Sequence, residues 1–283
     1  MHHVVACIDG SASAPAVCDY AAWACPRLGA SLTLLHVLEQ QHPQIEADLS
    51  GNIWLRSRDS LLQEAAALEV QRKKQSIEHA QVALGAARER VIKDGIDRFL
   101  VHQLDGDLLE RLHEFDDCSS LLVLGKQGAT SNNLQQHIGG HLESVVRKLP
   151  LPILVTPVGF KVPQSAMLAF DGSLSAHKAL ATLVASPLCK GLPIHLVMIG
   201  KKTDENWSQL EAACKVLQKS GFTVYKAILP GPVEPALHSY QVEHGVDLLV
   251  MGAYGHSRIH QLLLGSTTSG MLRITITPLL LLH

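Results

Sequence analysis

Met251-Gly252-Ala253-Tyr254-Gly255-His256-Ser257-Arg258-Ile259-His260-Gln261-Leu262-Leu263-Leu264-Gly265-Ser266-Thr267-Thr268 places Gly252 and Gly255 ahead of Gly265-Ser266-Thr267, with nine residues between Gly255 and Gly265. Asp247-Leu248-Leu249-Val250-Met251 leads into it as a short apolar run of β type. Ser266-Thr267-Thr268 behind it offers hydroxyls and backbone N–H groups where a helix can start. A strand that passes through glycines into a Ser-Thr helix start suits an anion, because glycine has no Cβ to hold an oxyanion away from the backbone. A lone Gly-x-x-Gly is an ordinary turn; the three-glycine spacing ending in hydroxyls is the more specific signal.

The layout occurs twice. Val4-Val5-Ala6-Cys7-Ile8-Asp9-Gly10-Ser11 returns as Met167-Leu168-Ala169-Phe170-Asp171-Gly172-Ser173, and Leu121-Leu122-Val123-Leu124-Gly125 returns as Leu248-Leu249-Val250-Met251-Gly252. Arg147 with Leu151-Pro152-Ile153-Leu154-Val155 returns as Arg273 with Thr277-Pro278-Leu279-Leu280-Leu281. The first copy is longer between its first and second landmarks, and the extra length falls at about 42–94. The chain therefore divides at Pro157–Pro163 into a first domain, 1–158, carrying that insertion, and a second domain, 163–283.

At 283 residues, 47% of them apolar, each copy has enough chain to bury its own core. No apolar run reaches the roughly 20 residues of a membrane span, and Val4 already lies in a strand, so the chain is expected to be soluble and cytoplasmic with no membrane partner. A net charge of −2 without a basic cluster argues against a nucleic-acid surface. The six cysteines form no Cys-x-x-Cys pair and read as reduced, mostly buried thiols.

Apolar runs predict strands near 3–9, 31–38, 97–104, 120–125 and 152–157, with helices near 13–28, 60–94, 107–116 and 139–149 between them. The second copy predicts strands near 166–171, 193–199, 222–229, 247–252 and 278–282, with helices near 175–189, 204–220, 233–244 and 266–275. Continuous apolar strands alternating with helices make a parallel sheet covered on both faces. The expected fold is α/β, two tandem doubly wound five-stranded domains, with ligands at the carboxyl ends of the strands. Ile153-Leu154-Val155 and Leu279-Leu280-Leu281 would be bare apolar edges in isolated copies, open to aggregation unless something covers them.

Taken together, the aspartate ending strand one, Leu34-Leu35-His36-Val37, the Gly-x2-Gly-x9-Gly-Ser/Thr loop and the closing Arg then Pro-Ile-Leu-Val-Thr resemble the universal stress protein family in its tandem form. The resemblance covers the whole chain. It implies that the loop cradles the phosphates of ATP, with magnesium as the nucleotide's companion, that the strand-one aspartate lies at the nucleoside, and that the end of strand two offers backbone to adenine. On this sequence those positions are Asp171, Met198, Met251, Gly252, Gly255, Gly265, Ser266 and Thr267. His256 and Arg258, inside the loop, are placed to meet phosphate charge. In that family the final strands of two domains pair across a two-fold axis, so the resemblance implies that Ile153-Leu154-Val155 and Leu279-Leu280-Leu281 meet antiparallel within this one chain, with a homodimer through the long first-copy helix possible but not required.

The first copy departs from the pattern. Gly125 and Gly128 are followed after ten residues by Gly139-Gly140-His141, so the Ser-Thr hydroxyls are gone, and ATP is expected in the second domain only. His137 and His141 have metal-ligand spacing, yet two glycines separate them and no third ligand is near, so no metal site is assigned. In the insertion, Leu61, Leu62, Ala65, Leu68, Ile77, Ala80 and Leu84 recur at helical spacing as a core stripe. Ile53, Trp54 and Leu55 would form the entrance if this helix lined an apolar-ligand groove. Hydrolysis or phosphoryl transfer would need Asp171 as base or metal ligand and Lys201 or Lys202 for charge, but no P-loop lysine is present, so binding and signalling rather than catalysis is the expected activity, with an interaction scaffold whose loop is vestigial as the further alternative.

Overall fold

Each apolar run becomes a strand close to where it is expected, because β-branched and leucine-rich segments buried on both faces leave the backbone no partner except a neighbouring strand. The computed structural model describes residues 3–38, 55–115, 119–127, 140–253 and 266–283, with backbone alone at 55–65, 69, 140, 141 and 266. The first copy contains β1 (His3–Cys7), α1 (Ala14–Leu28), β2 (Ser31–Leu38), α2 (Leu55–Lys93), β3 (Phe99–Asp105), α3 (Leu108–His113), β4 (Ser119–Gly125), α4 (Gly140–Lys148) and β5 (Ile153–Thr156). The second contains β6 (Ala166–Ala169), α5 (Leu174–Ala185), β7 (Ile194–Ile199), α6 (Asp204–Lys219), β8 (Val224–Leu229), α7 (Val233–His244), β9 (Leu248–Gly252), α8 (Ser266–Ile274) and β10 (Leu279–Leu282). The helix expected at 175–189 breaks after Ala185, and Pro187–Cys189 forms a separate 3₁₀ turn. Pro187 has no N–H to continue the ladder.

The strands form one ten-stranded sheet in the order β3-β2-β1-β4-β5-β10-β9-β6-β7-β8. Pairing within each copy is parallel. At the centre β5 and β10 run antiparallel, with Leu154 opposite Leu280 and Val155 opposite Leu279. The apolar edges that each copy would expose alone are thereby covered, and every residue of both strands is buried. The outer edges are β3 and β8, where half-exposed patterns replace the buried runs.

Further contacts tie the copies together. Lys126, just past β4, donates through Nζ to the carbonyls of Arg273 and Thr275, each at 2.7 Å, at the carboxyl end of α8. A cation there meets the negative end of the helix and its unpaired carbonyls. Phe160 of the connecting segment packs edge-on against Tyr20 of α1 at 4.7 Å between ring centres, and Lys161 pairs with the buried carboxylate of Asp247 at 2.5 Å.

The insertion forms a single helix of 39 residues, α2, about 58 Å long at 1.5 Å per residue. Its packing corrects part of the expected stripe. Ala80, Leu84, Ala87 and Val91 are buried against the first-copy core, but Leu68 is 54% exposed and Ile77 only half-buried. Every described side chain from Ala66 to Ser76 is exposed, so the core does not cover this stretch of the helix. The side chains of Leu61, Leu62 and Ala65 fall outside the described residues, as do Ile53 and Trp54, and Leu55 is described as backbone alone. Among the described residues the cysteines follow expectation: Cys18, Cys25, Cys189 and Cys214 are buried and Cys7 is partly so, none in a disulfide, while Cys118 lies outside the described residues. Burial pushes the thiols of Cys18, Cys25 and Cys189 up to about 12, which leaves them inert. No helix among the described residues is long and apolar enough to cross a membrane.

Candidate functional site

In the second copy the site begins with strand order. β9, β6 and β7 lie side by side and parallel, so their carboxyl ends, and with them Gly252, Asp171 and Met198, reach the same rim of the sheet. Asp171 follows Phe170 beyond β6 and is exposed. Its Oδ1 accepts the N–H of Ser173 at 2.9 Å while Gly172 takes φ 75°, a turn that re-aims the chain into α5. The first copy repeats this: Asp9 Oδ1 accepts the N–H of Ser11 at 3.0 Å beside Gly10 at φ 73°. Both strand-end aspartates therefore hold a local turn, whatever else they do.

Met198 and Met251 are buried side chains, so only their backbones face the rim. Gly252 ends β9, and a Cβ there would stand 3.0 Å from the carbonyl of Ser175 in α5. The equivalent Gly125 would bring a Cβ to 2.6 Å from Cβ of Ser13. The first glycine of each loop thus has a packing requirement that the sequence pattern credited to the anion alone.

Ser266 opens α8, and Thr267, in its first turn, is half-buried. The hydroxyl of Thr268 lies 3.5 Å from the carbonyl of Ala253, which holds the amino end of α8 beside the carboxyl end of β9. The two ends of the glycine loop are therefore adjacent, with the amino end of α8, whose first N–H groups have no partner within the helix, beside the end of β9. Gly255, His256, Arg258 and Gly265 lie outside the described residues.

Two neighbours of this rim carry no sequence signal. Gln209 of α6 sets its side-chain carbonyl where a Cβ on Gly172 would stand, and although that flexible side chain could move aside, the φ of 75° at Gly172 would still strain any other residue. Asn206 donates to the carbonyl of Lys201 at 2.8 Å and so fixes the turn between β7 and α6, on which Lys201 and Lys202 are exposed. Periodicity points to α6 as a helix but not to what its polar side chains touch.

In the first copy the corresponding rim borders a cavity of about 830 Å³. Its floor includes Ile8, Leu35, His36 and Leu124 at the carboxyl ends of β1, β2 and β4, and α2 forms its outer wall from Ser76 to Arg90. His36 Nδ1 lies 2.5 Å from the carbonyl of Ile8. Arg90 is held by Asp19 of α1 through Nε at 2.5 Å and Nη2 at 2.8 Å. Among the described residues no group of three His, Cys, Asp or Glu side chains is close enough to hold a metal ion, and His137 and the side chain of His141 lie outside them.

The sequence model described as "Universal stress protein family" matches residues 1–157 and 197–283. Universal stress protein Slr1230 of Synechocystis sp. is 36% identical over 284 residues, spanning 99% of both chains. A solved universal stress protein from Archaeoglobus fulgidus superposes with a TM-score of 0.71 at 18% identity, covering 99% of this chain and 97% of its own. The PA1789 protein of Pseudomonas aeruginosa superposes at 0.64 and 14% identity, covering 100% of this chain and 92% of its own. At these identities the two structures establish likeness of fold.

Proposed function

The chain belongs to the universal stress protein family, and we propose that this member is a regulatory protein that binds ATP, or a related adenine nucleotide, in its second copy. One observation carries the reading: the second copy alone retains Gly252-x2-Gly255-x9-Gly265-Ser266-Thr267, strung between the end of β9 and the start of α8. The adjacency of those two ends, held through Thr268 and Ala253, supports it. Backbone N–H groups of the loop and the first turn of α8 would donate to phosphate oxygens, and Ser266 and Thr267 would add hydroxyls. His256 and Arg258 would offset phosphate charge. Asp171, already at the rim, would accept from the ribose, and the Met198 backbone would meet the base. Magnesium would enter with the phosphates, supplying charge neutralisation.

Binding rather than turnover fits these residues, because Lys201 and Lys202 sit on an exposed turn and no P-loop lysine is present. In this reading nucleotide occupancy is the signal. Calorimetric titration of the full chain with Mg-ATP, paired with an assay for released phosphate, tests it: one site per chain and negligible release are expected, and two equal sites or rapid release would overturn it.

A further inference from the structure

α8 is poorly equipped to be a helix on its own. Its nine residues close only about five i→i−4 hydrogen bonds, and isolated helices shorter than about 12–15 residues are marginal in water. Ser266-Thr267-Thr268-Ser269-Gly270 fills its first half with hydroxyl residues and a glycine, which favour other conformations, and no carboxylate stands in its first turn to offset the positive end. Its order must come from what it packs against. Unwinding its last turn would leave too few bonds to hold the first.

That last turn is held by the other copy. Lys126 Nζ donates to the carbonyls of Arg273 and Thr275, at 2.7 Å each. The lysine is half-buried, and burial lowers its pKa, so the ammonium has exchanged water for these two acceptors and the negative end of the helix. The duplication sharpens the point. The Lys126 N–H donates to the Thr156 carbonyl at 2.9 Å, and the Ala253 N–H makes the same bond to Leu282 at 2.8 Å, so the two residues occupy equivalent places. A methyl group has nothing to donate. Lys126 therefore serves the helix that begins Ser266-Thr267, while its counterpart cannot do the same for the helix that begins Gly140-His141.

We propose that Lys126 is a positioning residue for the second copy's site: by fixing the carboxyl end of α8, the first copy keeps the helix start at Ser266–Thr268 ordered for its ligand. That the ligand is ATP rests on the function proposed for the second copy; the dependence of α8 on the first copy does not. A ligand that favours the ordered helix start must, by reciprocity, favour the Lys126 contact as well.

Hydrogen exchange of the ligand-free full chain, read by mass spectrometry over 266–274, tests the dependence. Lys126→Met keeps the stem but not the donors, and is expected to speed exchange there by about fivefold or more, with α5 and α6 unchanged. Lys126→Arg should stay within about twofold of wild type, since a guanidinium also donates to carbonyls. Lys126→Gln serves in the same assays if Lys126→Met does not fold. Titrated with Mg-ATP, Lys126→Met should bind more weakly by about fivefold or more, and in the wild-type chain saturating Mg-ATP should slow reductive methylation of Lys126 by about threefold or more. Unchanged exchange in α8, exchange raised equally across the second copy, wild-type ATP affinity in Lys126→Met, or methylation indifferent to ATP would each overturn the proposal. A wild-type chain that takes up no ATP would instead refute the nucleotide reading, and exchange in α8 would then decide the role of Lys126 by itself.

Discussion

Arg90 on α2 grips Asp19 on α1 through two hydrogen bonds, at 2.5 and 2.8 Å, while the Asp19 side chain is 8% exposed and that of Arg90 45%. The pair fastens the insertion helix to the body of the first copy next to the cavity. Removing the arginine leaves a carboxylate buried without its partner, which is the expensive half of such a pair to orphan. Because Arg90 is half in solvent, Arg90→Ala is expected to lower stability by about 1–3 kcal/mol. Urea unfolding measures this, and Asp19→Asn in the Arg90→Ala background should cost little more. Additive losses would show that the two side chains do not act together.

The close approach of Gly252 to Ser175, and of Gly125 to Ser13, predicts that alanine at either glycine destabilises the fold with no nucleotide present. Overpacking of this kind costs about 1–3 kcal/mol. Gly125→Ala should suffer more, since its Cβ would stand at 2.6 Å rather than 3.0 Å from its nearest neighbour. Thermal unfolding of the two ligand-free variants checks the order.

Gly265→Val should abolish ATP binding with the fold retained, because a branched side chain would occupy the path of the phosphates. Gly139→Val should leave ATP affinity unchanged. In the wild-type chain, ATP at a hundred times its dissociation constant should add roughly 2.7 kcal/mol to stability, and in Gly265→Val the thermal shift should vanish. Equal loss of binding in both variants would remove the distinction between the copies.

The β5–β10 register predicts an intrachain crosslink. Cysteines at Leu154 and Leu280, which face each other, should form a disulfide on mild oxidation, seen as a faster monomer band on non-reducing gels. Thr156 against Leu280, to within a residue or two, is the pairing the sequence suggests, and the observed register falls within that allowance by setting Leu280 opposite Leu154. The offset pair should crosslink poorly.

Burial, then the nearby charge of Lys178, lowers the pKa of His283 from its ordinary 6.5 to about 4. The unfolded chain then takes up a proton before the folded one does. Stability from this residue is full above about pH 6.5 and is lost as pH falls toward 4, by an amount on the order of 2–3 kcal/mol. His283→Leu should lack that increment, so the wild-type chain should lose stability relative to the variant across this window. Parallel pH profiles would show that His283 ionises in the folded state as freely as in the unfolded one.

Several elements of the fold were legible because each rests on local chemistry. Ser31-Leu32-Thr33-Leu34-Leu35-His36-Val37-Leu38 is apolar enough to require a strand and ends where its run ends, and α7 occupies 233–244 as its pattern predicts. The antiparallel meeting of β5 and β10 was implied by the family resemblance, and the bare apolar edges of the two strands supply its physical reason. Leu68 misled because helical spacing marks a face without saying whether anything lies against it. Gly252 was legible as a special position but with half of its reason, since the approach of Ser175 is a contact between residues far apart in the chain. The cavity was foreshadowed as a groove along the insertion helix; its described helical wall runs from Ser76 to Arg90, and the expected entrance at Ile53, Trp54 and Leu55 lies outside the described side chains.

By itself the sequence determined the duplication, the alternation of strands and helices, and the difference between Gly265-Ser266-Thr267 in one copy and Gly139-Gly140-His141 in the other. These follow from residue type and spacing along the chain, which set backbone freedom, hydrogen-bonding groups and burial by period. The tertiary structure alone decided that Gln209 closes on Gly172, that Lys126 binds the far end of α8, and that the alanines of α2 stand over the rim of β1, β2 and β4 with space left between. Those are distances between segments distant in sequence, fixed only when the whole sheet and its covering helices settle into one packing, and no local pattern encodes them.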